Sequence, residues 1–310
     1  MSDDKRVTLR YVDDMYKPNE SEQVTVISVC YNSMGVVPAM LASLPAETPV
    51  VIVDNASSDR PALEAAASAH GARLIRNEEN RGFGVACNQG AAVADTEFLL
   101  FLNPDAALTP KALEALVGAA AQYPDAVVMN PRIEEADGSA YFKRSSVLLP
   151  RAAWLKRGWP ERDCEVPVLS GAALFVRRED FEAIGGFDPL IFLYHEDDDL
   201  SLRLKVGRGR LMFIREAAVR HQGGRSSARS PEVAKLKAWH MGRSRIYAAR
   251  KHGQNFAATR AIGSALIQIV SPLVLLSPRK RAKQVGFMLG VVSGAQIGRA
   301  NPPQSKELRK

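Results

Sequence analysis

The chain has 310 residues, 46% hydrophobic and 24% charged, with a formal net charge of +7. That is the composition of a globular protein with ample core, and its cationic surplus suits an anionic partner: nucleotide phosphates, nucleic acid or an anionic lipid surface. Cys30, Cys87 and Cys164 are far apart, form no CxxC or Cys/His zinc pattern and are odd in number, which argues against a disulfide framework and fits a reducing cytoplasm.

Residues 1–22 are polar, without the apolar segment of a signal peptide, and read as a loose arm or an added edge strand. Val24–Cys30 is β-branched and short, the first strand. A helix follows over 34–44, a second strand over Thr48–Val53, a helix from Pro61 to about His70 and a third strand over Ala72–Arg76. An alanine-rich helix to about Ala94 leads to the apolar run Phe98–Leu102, too short for a helix and read as a strand buried on both faces. With a helix near 110–122, this βαβαβαβ alternation predicts an open, mostly parallel sheet with helices on both faces.

Chemistry in such a sheet sits just past the strand ends. Asn103-Pro104-Asp105 ends the fourth strand. Pro104 lacks an N–H and stops the ladder, which leaves Asp105 where a carboxylate can hold a divalent cation against a phosphate; a plain turn is the competing reading. Asp54 follows the second strand and can accept hydrogen bonds from a base or ribose, or serve only a helix start. Asn80-Arg81-Gly82-Phe83-Gly84 precedes a helix; its glycines allow close backbone approach, the helix start offers N–H groups to phosphate and Arg81 offers a charge. No GxGxxG follows the first strand, which argues against a nicotinamide-binding domain.

In the second half, Asp137-Gly138 signals a hairpin within Val127–Ser145. Val168–Val176 reads as a strand whose Ser170-Gly171-Ala172 leaves room for a ligand. Gly185-Gly186 ends a short helix over 180–184. Glu196-Asp197-Asp198-Asp199 then opens a helix in which Leu200 and Leu204 face inward. Acids favour a first helical turn, and the 100° step per residue lets only one or two of them face a cleft, as a general base or as a mere cap. His221 follows a strand and reads as a metal or phosphate ligand or as a structural histidine.

Taken in order, Cys30-Tyr31-Asn32, Val53-Asp54-Asn55-Ala56-Ser57-Ser58-Asp59, Asn80–Gly84, Asn103-Pro104-Asp105, Ser170-Gly171-Ala172, Gly186-Phe187-Asp188, Glu196–Leu200 and His221 resemble family 2 glycosyltransferases, above all the bacterial rhamnosyltransferase-like members. The resemblance spans about residues 24–225. It implies a GT-A fold and an inverting transfer from a nucleotide sugar, dTDP-rhamnose first and UDP-sugars next, to a hydroxyl of a glycan or polyprenyl-linked glycan. It divides the chain into a transferase domain over 23–228, with a nucleotide-sugar half to 130 and an acceptor half from 131, and a helical region over 229–310.

By the same resemblance Tyr31, Asn32 and Asp54 contact base and ribose, Asn80, Arg81, Gly82, Phe83 and Gly84 close over the nucleotide, and Asn103 adds to the donor site. Asp105, with His221, holds Mg²⁺ or Mn²⁺ on the diphosphate. Asn103 replaces the first acid of the family's DxD, so the metal meets one negative charge fewer. Asp197 is the expected general base and Glu196 the second choice, while Ser170, Gly171, Asp198 and Asp199 face the acceptor. A degenerate nucleotide-sugar-binding protein and a nucleotidyltransferase on a related sheet are the alternatives.

The tail carries a basic amphipathic stretch from Pro231 to about His252, then apolar runs over 261–276 and 285–297 around Pro278-Arg279-Lys280-Arg281-Ala282-Lys283. Each run is shorter than the ~20 residues of a spanning helix. Two readings stand: an interfacial anchor through 255–300 on the anionic inner face of the cell membrane, or a helical pair packed on the domain or in a homodimer. A nucleic-acid partner is not expected, since no RNP, KH or zinc pattern accompanies the charge.

Overall fold

The computed structural model describes residues 20–221, 230–269 and 271–297. The expected arm, apart from 20–22, and Gln222-Gly223-Gly224 lie outside the described residues. A 3-10 turn, Glu20–Gln23, leads into β1 (Val24–Cys30), α1 (Val37–Ala42), β2 (Val50–Asp54), α2 (Arg60–Ala69), β3 (Arg73–Arg76), α3 (Phe83–Ala91), β4 (Phe98–Leu102), β5 (Ala106–Leu108) and α4 (Ala112–Gln122). Then come β6 (Ala126–Glu135), β7 (Ala140–Tyr141), β8 (Cys164–Glu165), β9 (Ala173–Arg177), α5 (Arg178–Ala183), α6 (Glu196–Gly207) and β10 (Arg210–His221). The tail forms α7 (Pro231–Lys251), α8 (Ala257–Ile269), α9 (Pro272–Leu275) and α10 (Pro278–Ile297).

The sheet order is β3-β2-β1-β4-β9-β6-β10-β5, with β7 paired to β6 and β8 to β10. β3, β2, β1, β4, β6 and β10 run one way; β9 and β5 run against them. The sheet is therefore mostly parallel in direction, as expected. β1, β2 and β4 are buried along their whole length, because helices cover both faces and leave two apolar layers, one around Met40, Leu100 and Leu116, the other around Ile27, Phe101 and Phe187.

Two departures from the expected alternation shape the site. β5 follows Asn103-Pro104-Asp105 directly and pairs antiparallel with the end of β10, with His221 opposite Ala106. The expected strand over 168–176 starts only at Ala173. Before it, the Asn130 side chain takes the backbone of Ser170, accepting from its N–H at 2.5 Å and donating to its carbonyl at 3.0 Å, and so bends Ser170-Gly171-Ala172 out of the ladder.

The tail is packed on its inner side. Gly286, Gly290 and Gly294 of α10 meet the α7 backbone at Lys235, Trp239 and Arg243, where a Cβ at the first two would collide with carbonyl oxygens. This small-residue spacing lets the two helices touch. Ala261, Ala265 and Val291 are buried, while Leu266, Ile267, Leu276, Val285, Leu289 and Val292 remain exposed. Among the described residues no helix is long and apolar enough to cross a membrane.

Candidate active site

One cleft of about 340 Å³ opens at the strand ends. Tyr31, Asn80, Gly82, Phe83, Asn103, Asp105, Ser170, Gly171, Glu196, Asp197 and His221 all line it, so most of the expected site residues share one compartment. The fourth strand and α6 supply opposite acids, with Ser170–Ala172 between them.

The Asp105 wall is built by strand pairing. His221 Nε2 lies 3.4 Å from Asp105 Oδ1, and its Nδ1 lies 3.2 Å from Glu135 Oε1, because β10 pairs β5 on one side and β6 on the other, where His221 faces Glu135. Burial lowers the imidazole's affinity for protons, but Asp105 and Glu135 outweigh it and hold the pKa above the ordinary histidine range.

Among the described residues no group of three or more His, Cys, Asp or Glu side chains forms a metal set. Asp105 Oδ1 and His221 Nε2, 3.4 Å apart, could nonetheless both reach one divalent cation, which a diphosphate would help to hold. Glu135 then fixes the ring from behind, as carboxylates do for metal-ligating histidines. The residues present fit a divalent metal carried with a diphosphate.

The α6 wall is different. Tyr194 and His195 both hold positive φ, 67° and 69°, a strained pair that costs on the order of 1–3 kcal/mol per residue and swings the helix start toward the cleft. Asp197 Oδ2 accepts the Gly171 N–H at 2.9 Å and pairs with Lys143 Nζ at 2.6 Å; its Oδ1 accepts the Asp198 N–H at 2.8 Å. Lys143 also pairs with Asp198 at 2.9 Å, and His195 Nδ1 meets the other Asp198 oxygen at 2.9 Å. Burial would lower the Lys143 pKa; Asp197 and Asp198 overcome it and raise it. Burial likewise opposes ionisation of Asp198, yet Lys143 and His195 hold it well below the carboxylate range. Glu196 Oε2 has no hydrogen-bond partner, and burial beside Asp197 pushes its carboxyl up to about 8. Near neutral pH the run therefore sets an ionised Asp198 against Lys143 and keeps Glu196 neutral.

Several expected residues sit elsewhere. Asp199 is fully buried, bound to Arg203 at 2.8 Å, Lys251 at 2.9 Å and His252 at 2.8 Å. Burial opposes its charge, but the His252 hydrogen bond and these cations hold it at about 2. It ties α6 to α7 and does not face an acceptor. Asp54 is 1% exposed and off the cleft lining; its Oδ1 accepts the Ser57 N–H at 2.9 Å, whereas Oδ2 lacks a partner. Asn32, at φ 53°, turns its Oδ1 to the Ser58 N–H at 2.8 Å and bridges two loops. Arg81 is exposed, Gly84 packs on Phe187, and neither lines the cleft. Asp198 leaves the main cleft for a neighbouring cavity of about 330 Å³ shared with Tyr141, Phe142, Lys143 and Met241; Asp197 and Glu196 border both.

Four residues were not expected. Asn55 bridges the Asn80 side chain at 2.9 Å and the Arg81 N–H at 3.0 Å, setting the loop in which Gly82, at φ 86°, lies against the Phe192 carbonyl. Its signal was its place beside Asp54. Glu135, Lys143 and Lys237 carry no local signal: each arrives through long-range packing.

Against known proteins, the Glycosyl transferase family 2 profile matches residues 25–185. The chain is 29% identical over 297 residues to N-acetylglucosaminyl-diphospho-decaprenol L-rhamnosyltransferase of Mycobacterium tuberculosis, covering 85% of this chain and 96% of that one. Its fold resembles S. aureus TarS 1-349 in complex with UDP-GlcNAc, TM-score 0.54 at 18% identity over 88% of this chain and 92% of that one. It also resembles the mannosyltransferase PcManGT from Pyrobaculum calidifontis in complex with GDP-Man and Mn2+, TM-score 0.53 at 16% identity over 91% and 88%. These likenesses show a GT-A glycosyltransferase fold.

Proposed function

The chain belongs to glycosyltransferase family 2, and we propose that it is an inverting rhamnosyltransferase acting on a polyprenyl-diphosphate-linked glycan at the cytoplasmic leaflet. Rhamnose and the lipid-linked acceptor are supported by the mycobacterial relative's name and its match to 85% of this chain. The observation that carries the mechanism is the single cleft with Asp105 and His221 on one wall and Asp197 on the other.

The nucleoside of the donor enters between Tyr31 and the Asn55–Asn80 loop, with Asp54 as a buried acceptor behind them. Asp105 and His221 would hold Mg²⁺ or Mn²⁺, which would supply positive charge to the leaving diphosphate. Asp197 is fixed by the Gly171 and Asp198 N–H groups and accepts the proton of the acceptor hydroxyl. That oxygen attacks the sugar C1 from the face opposite the diphosphate. Glu196, neutral beside it, does not compete for the proton. The second cavity, reached past Asp197 and lined by Tyr141 and Phe142, suits the acceptor sugar.

We assign 23–228 to the transferase domain and 229–310 to a helical region that both packs and docks. Its outer face, with Leu266, Ile267 and Leu276 exposed near Arg279, Lys280, Arg281 and Lys283, fits an anionic bilayer surface. Flotation with phosphatidylglycerol vesicles, and none with phosphatidylcholine alone, is the expected result.

Purified protein is to be incubated with dTDP-rhamnose, UDP-GlcNAc or GDP-mannose, Mn²⁺ and a GlcNAc-diphosphate-polyprenol acceptor. A rhamnosylated product of inverted anomeric configuration, formed only from dTDP-rhamnose, is expected. Transfer from another donor, or a retained configuration, overturns the corresponding part of the assignment.

A further inference from the structure

Helix α7 starts beyond the residues matched by the family profile, yet it forms part of the cleft wall. Its entry is well set: Ser230 Oγ accepts the Val233 N–H at 3.2 Å, and Pro231 takes the first helical position. Lys237, His240, Met241 and Ser244 then follow helical spacing along one face. Ser244 donates to the Leu193 carbonyl at 2.9 Å. His240 stacks on Phe192 with centroids 4.3 Å apart and planes 20° apart. Met241 borders the second cavity. The Phe192 carbonyl also accepts the Phe83 N–H at 3.0 Å, so α7, segment 192–195 and the Gly82 turn are one packed stack. Lys237 is the member of the stripe that reaches the main cleft, where it shares a lining with Asp105, His221 and Asp197.

Resting on the transferase reading, we propose that Lys237 is a catalytic residue whose ammonium contacts the leaving diphosphate. The charge balance of the Asp105 wall argues for it. Asn103 is neutral where a second acid could stand, so the wall offers one cleft carboxylate toward a metal. A nucleoside diphosphate keeps excess negative charge there, and a cation on the facing helix neutralises it. Burial lowers the Lys237 pKa, Asp105 opposes that shift and Arg279 adds to it; a phosphate close by favours the charged form.

During transfer the new O–C1 bond forms and the C1–O bond to phosphate breaks. The electron pair of the broken bond passes to the terminal phosphate oxygen, and the hydroxyl proton passes to Asp197. Negative charge at that phosphate grows by one unit as the reaction proceeds. A fixed ammonium therefore binds the transition state more tightly than the bound donor and acts on kcat more than on KM.

The test uses the full chain with Lys237→Met, Lys237→Gln and Lys237→Arg. Expected for Met and Gln are a fall in kcat of about 10²-fold, an acceptor KM within about twofold of wild type, and a loss of about tenfold in affinity for UDP or dTDP, measured calorimetrically in EDTA. Binding of uridine or thymidine, which carry no phosphate, stays unchanged, and Arg recovers most of the lost rate. Turnover and diphosphate affinity within twofold of wild type in both neutral variants overturn the role. So does an equal loss of nucleoside binding, which marks Lys237 as a purely packing residue. Wild-type protein that neither binds nucleoside diphosphate nor transfers sugar overturns the transferase reading itself, a result separate from any difference among the variants.

Discussion

The two walls of the cleft meet charge in opposite ways. On the Asp105 wall one carboxylate and one imidazole stand 3.4 Å apart, next to a neutral Asn103. On the α6 wall three acids crowd Lys143, which pairs with Asp197 and Asp198, and the third acid is neutral. The first wall balances its carboxylate with a histidine that can give up its proton; the second uses a permanent lysine cation. The proposed mechanism accordingly gives a metal with a diphosphate to the first and proton transfer to the second. The difference also separates binding defects from turnover defects, which makes the comparison breakable residue by residue.

The largest effect is expected at Asp197. Asp197→Asn keeps the shape of the wall and its N–H contacts to one oxygen, but cannot take a proton. Transfer should fall by about 10²–10⁴-fold, while calorimetric affinity for the donor nucleotide stays within about twofold. Residual transfer near wild type would move the base to another group. On the opposite wall, Asp105→Ala should cut Mn²⁺-dependent donor affinity by about tenfold or more and leave metal-free nucleoside binding intact. Equal donor affinity with Mn²⁺ present would erase the contrast between the walls.

Lys143→Met comes next. Without the ammonium, Asp197 and Asp198 repel each other and protons compete better for the cluster. Asp198, held low in part by Lys143, moves up toward the ordinary carboxylate range, so the rate loss should be larger at acid pH than at pH 8. A pH-independent loss would make Lys143 only a packing contact.

The sheet itself was legible because β1, β2 and β4 are short apolar runs buried on both faces, and the two candidate acids sit where local rules speak: Asp105 after a proline-stopped strand, Asp197 in a helix's first turn. What the sequence hid follows from geometry at longer range. The 100° step per residue puts Asp197 and Asp199 about 200° apart, on opposite faces of α6, but which one meets the cleft depends on where the helix packs. Asp199 went inward to Arg203, Lys251 and His252. β5 was missed because Ala106–Leu108 is three residues long; it exists by pairing with β10, and that pairing brings His221 to Asp105. Lys143 and Lys237 are ordinary lysines in sequence, one after a hairpin and one in a basic helix. Only the fold turns them toward acids 54 and 55 positions away in one case and toward the strand-end cleft in the other.

Glu196 gives the smallest and most selective test. Its buried carboxyl holds its proton up to about pH 8, above the ordinary value of 4.5. Between those values the folded chain binds more protons at this site than the unfolded chain, so stability falls as pH rises through the window. Glu196→Gln removes the titrating group and keeps the neutral shape. The variant should melt with wild type near pH 4.5 and about 2–4 °C above it at pH 8.5 for each kcal/mol recovered, with transfer at pH 7 within about threefold, because the wild-type side chain is already neutral there. If the gap instead favours wild type at high pH, Glu196 is ionised in the folded protein. It would then rival Asp197 for the acceptor proton, and the α6 wall would carry an acid that Lys143 does not neutralise.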